Sequence, residues 1–293
     1  MAGALLLGVL ALTVAHALFD LPAAVRLSQL ALLGVILVQW SVIRTLARVF
    51  ALGALVSLVL VALLADAPLA VIDRALAQGA WYCAFLVALG CLPAAANRSR
   101  RLLAAGARLV AVAGRGRYTA LTLASHAFGL MLSLSALSLL IAAVLRQATH
   151  SAPLCSQALA ARRGAVLAIL RGFAPTAAWS PLSVGPVVVV SVVPSAEWQS
   201  IYALGVGLAA AMLLLGLLVQ RLEPAPASPA TDEAPRAPWR ALYPVLALVI
   251  GVFALLLGCA QALDLALPEA VMLVIPLVTL VWVTLQTSRQ GAA

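Results

Sequence analysis

Apolar residues run along this chain in blocks of about twenty, the length a helix needs to cross a bilayer core of roughly 30 Å, and the charges gather between the blocks. The pattern predicts membrane-spanning helices at 3–18, 27–43, 49–65, 79–96, 200–220, 241–259 and 268–286. Two segments do not fit a single upright span: 119–145 is too long, and 173–193 carries Pro175, Pro181 and Pro186. Residues 101–114 are too short to span and predict an interfacial helix, and 156–172 predicts a second helix at the same membrane surface. The fold class is all-α, a polytopic transmembrane bundle. Its parts are a first membrane repeat over 1–220, a linker over 221–240 and two further helices over 241–293. The linker RLEPAPASPATDEAPRAPWR holds five prolines and both signs of charge, the composition of an extended connector.

Composition agrees. Hydrophobic residues make up 65% and charged residues 9% of the chain, and the mean hydropathy is +1.14. A water-soluble domain covers itself with roughly 25% charged residues, so this surface faces a lipid bilayer. The excess of Ala, Leu, Val and Arg fits a bacterial inner (plasma) membrane protein. Residues 3–15 with Ala15-His16-Ala17 resemble a cleavable signal, but no basic residue precedes the apolar run. We read the segment as a retained first helix.

Charge sets the expected topology. Lysine is absent, and all eighteen cations are arginine, for a net charge of +9. Arginine concentrates in the cytoplasmic loops of membrane proteins, and with no recognition module beside it the charge does not point to nucleic acid. The stretch 97–117 contains Arg98, Arg100, Arg101, Arg108, Arg115 and Arg117 without an acid, which places it in the cytoplasm. Both termini are then cytoplasmic. If 119–145 crosses once, Arg146, Arg162, Arg163 and Arg171 fall outside. If it enters and returns as a re-entrant hairpin, sixteen of the eighteen arginines are cytoplasmic. Charge bias favours the hairpin, and one long tilted helix is the alternative. Trp40, Trp81, Trp198, Trp239 and Trp282 fall near predicted helix ends, as in interfacial aromatic belts, whereas Trp179 sits inside the proline-rich segment.

Candidate chemistry lies in the two irregular segments. A hairpin turn at membrane depth leaves main-chain polar groups that must meet protein or a wet cavity. Ser133 and Ser135 are the expected tip, although serines also commonly bond back to the preceding helical turn. In Arg171-Gly-Phe-Ala-Pro-Thr-Ala-Ala-Trp-Ser-Pro-Leu-Ser-Val-Gly-Pro186, three prolines interrupt the helical ladder. Two half-helices meeting near Trp179–Gly185 would aim a positive dipole end into the membrane. Ser180 and Ser183 would stand beside it, the construction of a solute site in a secondary transporter; a plain proline kink is the alternative. His126 is an ionisable residue at membrane depth. With an ordinary pKa of ~6.5 it suits a proton relay, against which stands a neutral histidine bonded to a main-chain carbonyl.

The four cysteines form no CxxC and the three histidines are scattered, so no metal site or cofactor is expected. No phosphate-binding loop, HExxH or nucleophile elbow occurs, and no enzyme activity is expected. Gly205-Val-Gly-Leu-Ala-Ala-Ala211 would allow close helix approach. That stripe supports an alternative reading, a non-catalytic integral membrane subunit of a larger complex.

The order of parts resembles the ion transporter superfamily of secondary carriers, which includes divalent-anion, citrate and arsenite carriers. The resemblance is carried by TLASHAFGLMLSLSALSLL (122–140) as the hairpin and RGFAPTAAWSPLSVGP (171–186) as the broken helix, with the linker at 221–240 before a second repeat. It implies a small solute, an anion among the candidates, bound by Ser133, Ser135, Trp179, Ser180, Ser183 and Gly185, with coupling H+ or Na+ and His126 as a relay. The Ser-Asn-Thr signature of the dicarboxylate carriers is absent, with Ser133-Leu-Ser135 near its place. Only two helices follow the linker, so most of the second repeat has no counterpart. Either the chain is truncated relative to that pattern or a homodimer completes the site.

Overall fold

A computed structural model describes residues 1–96, 99, 104–106, 108–109, 116–132, 134–149, 156–193, 195–222 and 243–290, with side chains at most of them. Among the described residues all regular structure is helical. In chain order the helices are α1 (Ala2–Phe19), α2 (Pro22–Gln39), α3 (Thr45–Leu64), α4 (Pro68–Ala96), α5 (Arg117–Leu132), α6 (Leu134–Thr149), α7 (Ser156–Phe173), α8 (Thr176–Trp179), α9 (Val184–Val192), α10 (Trp198–Leu222), α11 (Tyr243–Ala262) and α12 (Leu267–Gln290). Eight helical segments are long and apolar enough to cross a membrane, with α7 to α9 counted together as Leu159–Val192. They are compatible with a multi-pass membrane protein.

Several boundaries differ from the apolar blocks for local reasons. Proline opens α2 and α4, at Pro22 and Pro68, where its missing N–H removes no helical bond. Helix α4 therefore begins eleven residues before the apolar block at 79–96 and takes Asp73, Arg74 and Gln78 into its first turns. Trp81 then lies inside a helix instead of at its end, while Trp198 opens α10 and Trp40 follows α2. The chain leaves α1 through Asp20 in the left-handed region (φ 47°), and the Asp20 N–H donates to the His16 carbonyl at 2.8 Å. Aspartate tolerates that conformation better than most residues, and α2 starts two residues later. Over 119–145 the described residues are helical up to Leu132 in α5 and from Leu134 in α6, elements of 16 residues each. Of the expected interfacial helix 101–114, residues 104–106 and 108–109 are described, and these are helical. Residues 223–242, nearly all of the linker, lie outside the described residues, as do Ser133, Cys155 and Trp239.

The chain divides into two compact units, Met1–Cys91 with Leu256–Leu277, and Leu92–Leu255 with Val278–Ala293. In the first, α1 packs along α2, and Val9, Phe85, Met272 and Ile275 are fully buried. Gln29 of α2 donates from Nε2 to both the main-chain oxygen and Oδ1 of Asp73, each at 3.0 Å. In the second, Leu121, Phe128, Leu140 and Ile169 are fully buried, and α7 packs against both α5 and α6.

Candidate functional site

The second unit is assembled by side chains of α5 that donate to carbonyls of α7. Thr122 Oγ1 donates to Ala168 O at 3.2 Å, and Ser125 Oγ donates to Ile169 O at 2.7 Å. His126 Nδ1 lies 3.0 Å from Gly172 O. A carbonyl can only accept, so Nδ1 carries the hydrogen and Nε2 of the neutral ring is an acceptor. Positions 122, 125 and 126 rise along α5 as 168, 169 and 172 rise along α7, so these helices run parallel. The contact continues at Gly129, where an added Cβ would lie 3.0 Å from the Phe173 ring and 3.2 Å from the Thr176 methyl. Parallel neighbours need a return path. Helix α6 packs against both, and Phe128 of α5 and Leu140 of α6 both reach Gly106, to within 3.9 and 3.8 Å of where its Cβ would be.

Two glycines permit the closest approaches. At Gly172 an added Cβ would collide with the Thr122 carbonyl oxygen, and at Gly205 of α10 with the Ala178 carbonyl oxygen. Near the other end of α10, Gly216 lies by Tyr118, whose hydroxyl would be 3.0 Å from an added Cβ. The Arg171 guanidinium donates to that hydroxyl at 3.5 Å and lies 5.9 Å from the centre of the Tyr118 ring. Gly205 pairs with 178 and Gly216 with Arg171 and Tyr118, so α10 runs opposite to α5 and α7. The starts of α5 and α7 and the end of α10 share one end of the unit. Arg117 opens α5 and Arg221 lies in the last turn of α10, while Arg162 and Arg163 stand in the middle of α7.

The proline-rich segment is interrupted where the sequence placed the break. Helix α8 ends at Trp179, residues 180–183 are non-helical, and α9 starts at Val184. The expected serines brace this interruption. Ser180, 2% exposed, accepts the Leu182 N–H on its hydroxyl at 3.2 Å. Ser183 donates its hydroxyl to Ala177 O at 3.2 Å. Gly185 lies within α9, past the break, and an added Cβ there would sit 2.9 Å from the same Ala177 oxygen. Its lack of a side chain lets the start of α9 pass over α8. The first turn of α9 presents the amides of Val184 and Gly185, because Pro186 has none.

Trp179 links the break to α5. Its ring stacks on His126 (centroids 5.9 Å apart, planes at 22°) and leans on Phe253 of α11 at 5.8 Å. Its Nε1 and the hydroxyl of Tyr202, one turn before Gly205 on α10, are buried without a hydrogen-bond partner among the described residues. The structure thus brings His126, Trp179, Ser180, Ser183 and Gly185 into one region. Ser135 lies near the start of α6, and its side chain is outside the described residues, as is all of Ser133. Thr122, Ser125, Thr176, Tyr202, Gly172 and Gly205 were not singled out by sequence reasoning as part of the site. A signal for the α5 members exists in the i, i+3, i+4, i+7 spacing of Thr122, Ser125, His126 and Gly129, a single stripe along a helix. The Gly205 stripe read as a surface for a second helix is engaged within the chain, at Ala178.

No family model matches the chain, and neither a curated protein nor a solved structure matches it.

Proposed function

We propose that this protein is a secondary transporter moving a small solute, an anion in the first instance, across a bacterial inner membrane. Helices α5 and α6 act as a re-entrant hairpin, and both termini and the linker face the cytoplasm. The observation that carries the reading is the interruption at 180–183, which lies beside His126 within a 34-residue apolar segment. Irregular backbone at membrane depth is tolerated against protein or a wet cavity. Here Ser180 and Ser183 satisfy part of it. What remains are donors, namely the amides of Val184 and Gly185, Trp179 Nε1 and Tyr202 Oη. Donors around the positive end of a short helix suit an acceptor-rich solute. His126 Nε2 is the group that takes a coupling proton, with Na+ as the other coupling ion to test. Ser133 and Ser135 complete the site from the hairpin tip, and a homodimer is the arrangement that supplies a second half.

A second reading, a non-catalytic subunit of a larger complex, is favoured by α3, none of whose residues is buried. Purification as a stable hetero-complex without solute flux would select it.

Topology is tested at Cys155. With Cys83, Cys91 and Cys259 replaced by serine, a membrane-impermeant maleimide labels Cys155 only after cell lysis if 119–145 returns. Labelling of intact cells overturns the hairpin. Transport is tested with proteoliposomes and a panel of small carboxylates and inorganic oxyanions. Uptake that falls in Trp179→Phe, which keeps the ring but loses the N–H, supports the site. Absence of uptake of every solute rejects it.

A further inference from the structure

The first unit holds a pocket of ≈ 250 Å³ between α1, α2 and α4 that is open to the surface on one side. Thr13 and His16 line it from α1, Val25 and Ser28 from α2, and Arg74, Ala77, Gln78 and Trp81 from α4. The polar members divide by what they still offer. Thr13 donates its hydroxyl to Val9 O at 2.8 Å, and Ser28 donates to Val25 O at 2.7 Å. Their hydrogens are engaged in their own helices. Arg74 and Gln78 are exposed residues, and neither side chain has a hydrogen bond or ion pair among the described residues. His16 Nδ1 is buried without a hydrogen bond, and its nearest acid is the fully exposed carboxylate of Asp20 at 3.9 Å. Asp73, the neighbour of Arg74 in the chain, has Oδ1 engaged by Gln29. The unpaired capacity of the cavity is therefore mainly for donation, centred on a guanidinium whose planar N–H fork matches oxyanions.

We infer that this cavity is a binding site for a phosphate-type oxyanion, held by Arg74 and Gln78 with His16 beside it and Trp81 as the apolar wall. The site is separate from the one proposed for transport and shares no residue with it. An Arg and a Trp on one transmembrane helix, flanking a pocket between helices, also match the way headgroup phosphates are held. The same chemistry serves a phospholipid headgroup or free phosphate.

The full chain, purified in a neutral detergent, distinguishes these sources. Native mass spectrometry with phosphatidylglycerol against phosphatidylcholine reads the lipid, and calorimetry with inorganic phosphate reads the free anion. Arg74→Gln breaks no recorded bond, and it should weaken whichever ligand binds by about tenfold. Arg74→Lys should retain part of the affinity. Arg26→Gln, which changes an exposed arginine outside the cavity, should leave it unchanged. Selective retention of phosphatidylglycerol that needs Arg74 assigns a lipid site, and phosphate binding that needs Arg74 assigns a soluble-anion site. Binding of neither, or binding equal in Arg74→Gln and the unaltered chain, overturns the inference.

Discussion

Gly172 of α7 lies directly on the main chain of Thr122 of α5, so close that a methyl group at 172 would overlap the Thr122 carbonyl. Backbone cannot step aside as a side chain can. Gly172→Ala should therefore lower stability by about 1–3 kcal/mol. Gly205→Ala should do the same through Ala178. Gly207→Ala, with nothing within 4 Å of the added Cβ, should be neutral or stabilising by up to about 1 kcal/mol. Thermal melting of the three variants in one detergent checks the ordering, and equal effects at 205 and 207 would refute the close approach.

Ser125 is fully buried and donates to Ile169 O. Ser125→Ala should cost about 0.5–1.5 kcal/mol without altering the fold. Ser57→Ala is the comparison, because Ser57 is exposed and bonds only within its own helix; its melting point should hardly move.

In the first unit, Gln29→Leu removes both donations to Asp73 and should cost about 1.5 kcal/mol. Asp73→Asn keeps an oxygen acceptor at the same place and should cost less. Chemical denaturation in mixed micelles compares the two. A larger loss for the asparagine would mean that the carboxylate charge, and not the hydrogen bond, holds the contact.

If His126 moves the coupling proton, His126→Gln should remove proton-coupled flux in proteoliposomes while the protein still folds and reconstitutes. Unchanged coupling would return His126 to a structural role, holding the Gly172 carbonyl.

The apolar blocks were legible because a bilayer imposes a length, and seven predicted spans have counterparts among the helices. Their starts were less legible. Hydropathy cannot see that Pro68 opens a helix whose first turns carry Asp73 and Arg74, so Trp81 was read as an interface residue. The break near Trp179 was visible because proline acts on its own backbone. The roles of Ser183 and Gly185 were not visible, because they depend on how the two sides of the break fold over Ala177, and that of Ser180 was not visible because it rests on the local turn that brings the Leu182 N–H to its hydroxyl. The pairing of His126 with Gly172 spans 46 positions and follows from the parallel course of α5 and α7, which no local pattern encodes.

Helix α3 has no buried residue, and its span has a mean hydropathy of 2.4. Elsewhere in the chain, removing a buried leucine such as Leu121 opens a cavity and should cost about 2–5 kcal/mol. Along α3 the same truncation at Leu55 or Leu60 leaves no hole and changes only the partition into lipid. With twenty residues, α3 is about as long as the hydrocarbon layer is thick. A helix of that length and exposure has its tilt and depth set by whatever surrounds it, a bilayer of given thickness above all, and not by neighbours in its own unit.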